Sequence, residues 1–151
     1  MMEGLLKNAK FTRSVAATAA GATDVTGSTI DTAGYNAVCF VVDIGTLTAT
    51  QVTSMRAQQG ALSDASDMAD LEGTIAGPMA DGDGSKFLVI DVIKPAERYV
   101  RVIVDRATAN AVINGGVAIL YNANNVPITQ STGAGGVPFS KTVVTPAEGT
   151  P

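Results

Sequence analysis

Short runs of β-branched and other apolar residues, separated by Gly, Asp, Asn and Pro, recur along most of this chain. Runs of this length with turn residues at regular intervals predict strands joined by turns. We place eight predicted strands at residues 13–19, 24–30, 35–44, 51–58, 68–75, 86–93, 98–105 and 113–121. This spacing predicts an all-β domain over residues 13–126, an antiparallel β-sandwich or a jelly roll.

The run YNAVCFVVDI at residues 35–44 is the most apolar of the eight. Both of its alternating faces are mostly apolar, which predicts a strand that is covered on both sides. It contains Cys39, the only cysteine of the chain. Because the neighbouring Val38 and Phe40 supply no positive charge to activate a thiol, we expect Cys39 to be a small buried apolar residue.

Two consecutive runs, residues 86–93 and 98–105, are separated only by the sequence KPAE. A short polar linker with a proline between two such runs predicts a β-hairpin. In the second run the alternation predicts a core face and a face toward solvent or a partner. The core face carries Val100, Val102 and Val104, and the other face carries Arg101, Ile103 and Asp105.

A helix is the alternative for part of the chain, because apolar residues between positions 50 and 71 also fit one helical face. Gly60 and the Asp/Ser cluster after it argue against a long helix. A short helix within residues 62–71 stays possible.

The two ends differ from the middle. Residues 127–151 are rich in Gly, Ser, Thr and Pro and contain few large apolar side chains. Such a segment alone buries too little surface to offset the entropy lost on ordering. We therefore expect an N-terminal arm at residues 1–12 and an extended C-terminal arm at residues 127–151, both ordered by neighbouring chains.

No stretch near the start has the apolar core of a signal peptide, and the most apolar run is too short to cross a bilayer. We expect a protein that stays in the cytosol in which it is made or that leaves by cell lysis. Apolar residues make up 46% of the chain and charged residues 16%, below the usual quarter. Partner chains are one place where such a chain can bury its apolar surface.

Residue types exclude several function classes. The net charge is −4 and no run of Lys or Arg occurs, so the positive footprint of a nucleic-acid binder is missing. The chain has no histidine and one cysteine, which excludes Ser-His-Asp and Cys-His nucleophiles and thiolate metal sites. We predict no catalytic residues, no cofactor and no membrane or nucleic-acid partner.

Three groups of carboxylates are candidate sites. The sequence DGDG at residues 81–84 begins like a calcium loop, but Val92 stands where such a loop needs a glutamate. We predict polar turns there and in the loop that carries Asp64, Asp67 and Asp70, and leave open whether Asp81 and Asp83 bind a metal ion. Asp91 and Asp105, on neighbouring predicted strands, are a formal glycosidase pair that no other feature supports.

Three stretches carry a resemblance to known proteins: GYNAVCFVVDIGTLTATQVTSMRAQQG, ADLEGT and FLVIDVIKPAERYVRVIVDRATANAVINGGVAILYNANNVPI. The last is the most specific, with a K-P-x-x-R-Y-V-R turn and strand, a D-R-A-T-x-N-A-V-I step, and a strand that ends in tyrosine. Over residues 35–128, about three-fifths of the chain, the sequence resembles small head decoration, or cement, proteins of tailed bacteriophages and prophages.

That resemblance implies a virion protein that binds non-covalently to the major capsid protein on the outside of the expanded head. It also implies symmetric self-association, with a trimer favoured, assembly in the host cytoplasm, and no catalytic residues. Two alternatives stay open. One is another virion part, such as a head–tail connector, a tail-tube protein or a head-fibre base. The other is a glycan-binding or cell-surface-binding module, which the absence of Trp and the presence of only three Tyr disfavour.

Overall fold

The computed structural model of this chain describes residues 4–145 and 147–149. In these residues two antiparallel sheets pack face to face, which confirms the predicted all-β sandwich. The strands are β1 (Lys10–Val15), β2 (Thr18–Gly21), β3 (Val25–Thr26), β4 (Ile30–Asp31), β5 (Tyr35–Leu47), β6 (Val52–Gly60), β7 (Ala69–Asp70), β8 (Lys86–Ile93), β9 (Tyr99–Ala107) and β10 (Ala111–Ala123). A one-turn helix α1 (Leu5–Asn8) precedes β1, and a short 3₁₀ turn spans Asp81–Asp83.

We call the two layers sheet A and sheet B. Sheet A has the strand order β1-β10-β5-β8, and β2 also pairs with β10. Sheet B has the order β3-β9-β6-β7, and β4 also pairs with β9. Strand β8 is therefore an edge of sheet A, and β1 lies at the opposite edge.

The core lies between the inner faces of the two sheets. Strand β5 contributes Phe40, the largest fully buried side chain, and β9 contributes the three valines that the alternation predicted. Removing such side chains from water stabilises the fold by about 1.5–3 kcal/mol each. The other fully buried aliphatic side chains of this core are Val15, Val38, Val42, Ile44, Met55, Ala57, Ile113, Ala118 and Leu120.

The predicted hairpin between β8 and β9 is wrong. Strand β8 pairs with β5 in sheet A, whereas β9 pairs with β6 in sheet B. The linker passes from one sheet to the other: the Lys94 N–H donates to the Asn36 carbonyl beside sheet A, and the Ala96 N–H donates to the Gln59 side chain of β6. A short polar linker is compatible with a hairpin within one sheet and with a crossing between sheets, so the local sequence does not distinguish the two.

Three predicted strands are shorter or broken in the structure. The run at residues 13–19 is divided between β1 and β2, and the run at 68–75 retains only β7. The run at 24–30 is interrupted at Gly27, where a Cβ atom would lie 2.8 Å from the Val102 carbonyl oxygen and 2.9 Å from that of Ser14. Only glycine fits at position 27, because the chain passes there between a carbonyl of β9 in sheet B and a carbonyl of β1 in sheet A.

The alternative helix within residues 62–71 does not form. Turns and bends occupy this segment up to β7, and the Asp67 carboxylate accepts hydrogen bonds from the Ala61 and Leu62 N–H groups. A side chain that satisfies backbone donors in this way competes with helix formation.

The ends of the chain contact each other. The strand β1 begins at Lys10, so residues 10–12 belong to sheet A rather than to an arm. The Gln130 side chain donates to the Leu6 and Ala9 carbonyls and accepts from the Phe11 N–H. The Arg13 N–H donates to the Gly135 carbonyl at 2.7 Å. The first part of the C-terminal segment is thus held along β1 by its own chain.

Candidate functional site

The outer side of edge strand β8 exposes an unusual number of apolar side chains. Side chains alternate along a strand, so the burial of Leu88 and Ile90 directs Phe87, Val89 and Ile93 outward. Their exposed fractions are 62%, 51% and 64%. An edge strand that is apolar on both faces is uncommon in a chain that functions alone.

The neighbouring strands extend this exposed region. Val89 lies opposite Val41 of β5, which in turn lies opposite Val117 of β10. Cys39 and Ile119 form the next such pair. We call this surface the apolar face, defined by Phe11, Cys39, Val41, Phe87, Val89, Ile93, Val117 and Ile119. It crosses four strands on the outer side of sheet A.

The prediction that residues 35–44 are covered on both sides is therefore wrong. Val41 and Cys39 are only half-buried, because no second layer lies over the outer side of sheet A within the described residues. Cys39 is half-exposed rather than buried, in contrast to our expectation. Partial burial and the nearby Asp91 charge raise the pKa of its thiol, so the setting does not activate it.

A hollow of about 300 Å³ indents one end of the apolar face. Val41, Asp43, Phe87 and Val117 line it together with Gly115 and Gly116. Gly115 has a φ of 140°, a conformation that favours glycine, and the β10 register shifts there. The hollow leaves room beside Phe87 for an apolar group of a partner.

The acidic side chain of β8, Asp91, lies among the apolar side chains of this face. Asp91 accepts a hydrogen bond from the Tyr121 hydroxyl, with oxygen–oxygen distances of 2.7 and 2.9 Å. This bond and the carboxylate charge raise the pKa of Tyr121 to about 12. The phenol thus stays protonated at neutral pH. Asp91 places a carboxylate between the apolar side chains of Val89 and Ile93, and Asp43 places a second one beside Phe87 at the hollow.

The outer side of sheet B is different, because its central side chains are polar and paired. Arg56 binds both Asp105 and Asp70, the latter at 3.0 Å, and Gln58 donates to Asp70 at 2.7 Å. Arg101 donates to Gln58 at 2.8 Å. A surface whose polar groups already satisfy one another gains little from a partner, so sheet A offers the better docking surface.

The DGDG segment forms the predicted polar turn. Asp81 accepts from the Thr50 N–H with both oxygens at 3.0 Å, and Asp83 accepts from the Ala80 N–H and pairs with Lys86. Across residues 4–145 and 147–149, no group of three or more Asp, Glu or Cys side chains is placed to hold a metal ion.

Neither the group Asp64, Asp67 and Asp70 nor the pair Asp91 and Asp105 forms a site. Asp64 accepts from Ser66 and Asp67 from the backbone of its own loop, whereas Asp70 pairs with Arg56. Asp91 lies on the outer side of sheet A and Asp105 on the outer side of sheet B, so they cannot flank one glycosidic bond. Their predicted strand adjacency depended on the hairpin that does not form.

Sequence reasoning missed the apolar face. Its signals were the run at residues 35–44, which we expected to be covered on both sides, and the sequence FLVIDVI, which is also apolar in both alternating phases. No helix in the part of the chain that the structure describes has the length and apolarity needed to cross a membrane. Comparison with protein-family models, with curated proteins and with solved structures found no match.

Proposed function

We propose that this chain is a structural virion protein that decorates and stabilises the head of a tailed bacteriophage by binding the major capsid protein shell. The observation that carries the proposal is the apolar face on the outer side of sheet A, with Phe87, Val89 and Ile93 each more than half exposed. The resemblance of residues 35–128 to head decoration proteins supports the choice of partner.

The chemistry of the surface favours docking over catalysis. The carboxylates of residues 81–84 and of the 64–70 loop are occupied by backbone donors and by basic side chains. The apolar face supplies instead what a protein interface needs: a mostly apolar surface, carboxylates at Asp43 and Asp91, and a hollow beside Phe87.

The size of the face suggests that one copy does not bind alone. Three interstrand spacings across and six residues along β8 give an area of roughly 14 by 20 Å, or about 300 Å². A stable interface buries about 800 Å² on each partner. Several copies linked in a symmetric cluster would supply the missing area through simultaneous contacts, which raises the apparent affinity without new contacts in each copy.

The test is cosedimentation of the purified chain with empty heads assembled from the major capsid protein of the phage or prophage that encodes the chain. We expect binding to expanded heads and not to procapsids. The variant Val89→Glu places a charge in the apolar face and should weaken binding at least about tenfold, equivalent to 1.4 kcal/mol.

The matched control is Ile75→Glu, at a site that is 69% exposed in the loop that runs beside β6 of sheet B. We expect it to bind like the parent chain. Failure of the parent chain to bind expanded heads, or equal weakening by both variants, would contradict the proposal. Copies confined to one vertex of the particle would indicate a connector or a tail part instead of a shell protein.

A further inference from the structure

The segment at residues 139–145, FSKTVVT, has the composition of a strand but is not in one. It lies between Pro138 and Pro146 and contains four β-branched residues in succession. In the structure it pairs with no strand among the described residues, and Phe139, Val143 and Val144 are 92%, 57% and 76% exposed. Such exposure of large apolar side chains indicates a segment that binds a surface outside its own described fold.

Edge strand β8 presents a matching pattern. Its outward side chains Val89, Asp91 and Ile93 place one negative charge between two apolar groups. Alternate residues of the tail segment, Phe139, Lys141 and Val143, place one positive charge between two apolar groups. Both sets have the two-residue spacing of side chains on one side of a strand.

We propose that residues 139–145 of one copy add as an antiparallel strand to β8 of a second copy. Lys141 then lies opposite Asp91, Phe139 opposite Ile93, and Val143 opposite Val89. The backbone of the added strand forms hydrogen bonds with the N–H and C=O groups along the open edge of sheet A. The cross-strand side-chain pairs set the register.

The donor must be a second copy because its own β8 is out of reach. Gly135 is hydrogen-bonded to Arg13 on β1, at the edge of sheet A opposite β8. A strand added outside β8 lies four interstrand spacings from β1, about 19 Å. Four residues, from 135 to 139, span at most about 14 Å. Phe139 therefore cannot reach the position opposite Ile93 of its own chain.

Residues 139–145 lose few contacts when they leave their present position. Its side chains line an open cleft of about 620 Å³ against residues 6 and 7. Thr142 approaches Gly4, while residues 139–145 are exposed throughout. The anchors at Gln130 and Gly135 lie before the donated segment, so they remain in place during exchange.

Strand donation of this kind joins different surfaces of two copies, head to tail. Such contacts close into a ring when the rotation between copies allows it. A ring would also gather several apolar faces into one cluster. The inference concerns self-association alone, so it stands or fails independently of capsid binding.

The first test is the molar mass of the purified full-length chain by sedimentation velocity over a dilution series. We expect an oligomer that becomes a monomer when residues 139–151 are deleted. Lys141→Asp and Asp91→Lys should each dissociate it, and the double variant with both changes should restore it. A monomeric parent chain, or an oligomer that survives the deletion, would overturn the proposal.

The second test is cross-linking in a Cys39→Ser background. A copy with Lys141→Cys is mixed with a tagged copy with Asp91→Cys and treated with an oxidant, because directly opposite residues approach disulfide geometry. We expect a mixed disulfide dimer, and none when Ile75→Cys replaces Asp91→Cys. Equal cross-linking at both sites, or none at Asp91→Cys, would contradict the proposal even if one of the charge variants failed to fold.

Discussion

The Tyr121 hydroxyl donates a hydrogen bond to the Asp91 carboxylate and thereby ties β10 to edge strand β8 across the intervening β5. The bond holds a carboxylate between the exposed apolar side chains of Val89 and Ile93 on the edge strand. It also fixes the outward direction of the charge that we propose to pair with Lys141 of a second copy. Asp91 thus stabilises its own copy through Tyr121 and, in the proposed pairing, binds Lys141 of a second copy.

The first prediction concerns the pH dependence that this bond creates. The pKa of Tyr121 is raised from 10.0 to about 12, so its stabilisation is complete below pH 10 and is lost as the pH rises through about 12. We expect Asp91→Asn to lower the pKa of Tyr121 toward its ordinary value. The measurement is phenolate absorbance against pH in a background with Tyr35→Phe and Tyr99→Phe.

Asp105→Asn is the control for that titration, because Asp105 lies on the outer side of sheet B. It should leave the pKa of Tyr121 unchanged. An unchanged titration in Asp91→Asn would mean that the Asp91 hydrogen bond does not hold the proton.

The second prediction separates the core from the apolar face. Phe40 is fully buried, so Phe40→Ala should lower the free energy of unfolding by about 3–5 kcal/mol. Phe87 is 62% exposed, so Phe87→Ala should change it by less than about 1 kcal/mol. Urea unfolding measures both. A large loss of stability in Phe87→Ala would assign that side chain to the fold rather than to docking.

The third prediction concerns Arg106, a buried cation that binds three backbone carbonyls. Its guanidinium donates to Thr23 at 2.7 Å, to Ala19 at 2.9 Å and to Ala111 at 2.8 Å, which fastens the turn after β2 to β9 and β10. Arg106→Leu leaves these acceptors unpaired and should cost about 2–3 kcal/mol of unfolding free energy.

Arg101→Leu is the matched control for Arg106→Leu, since Arg101 is half-exposed on β9 and its side chain binds the Gln58 side chain. We expect its effect to be less than half as large in the same urea unfolding measurement. Equal losses of unfolding free energy in the two variants would show that the contacts of Arg106 with the buried carbonyls do not add to stability.

The fourth prediction concerns the tail anchor. Gln130 makes three hydrogen bonds with residues 6–11, and Gln130→Ala removes them all. Amide hydrogen exchange at residues 128–137 should then accelerate on the order of tenfold, with little change in the sandwich. Thr129→Ala, at an exposed neighbouring site, is the control. Unchanged exchange in Gln130→Ala would mean that the backbone bonds alone hold the tail.

The strands most completely predicted from the sequence are those whose pattern is local. β8 has the predicted bounds, and β9 buries Val100, Val102 and Val104 as its alternation requires. Alternation follows from the geometry of one strand, so neighbouring residues suffice to predict it. The DGDG turn was predictable for the same reason, because its carboxylates act on nearby donors.

Sheet membership was not predictable in this way. The linker between β8 and β9 serves equally for a hairpin and for a crossing between sheets, and pairing with β5 or β6 depends on residues far away in the chain. The error also made Asp91 and Asp105 neighbours, although they lie on opposite sides of the molecule.

By itself, the sequence determined that this chain forms strands with an apolar inner face, and that it carries no histidine and a single cysteine. Only the tertiary structure decided that the second apolar side of β5 and β8 is left uncovered. The reason is physical: a strand's apolar residues specify that they require burial, but which layer covers them depends on how many strands each sheet receives and where the chain changes sheets.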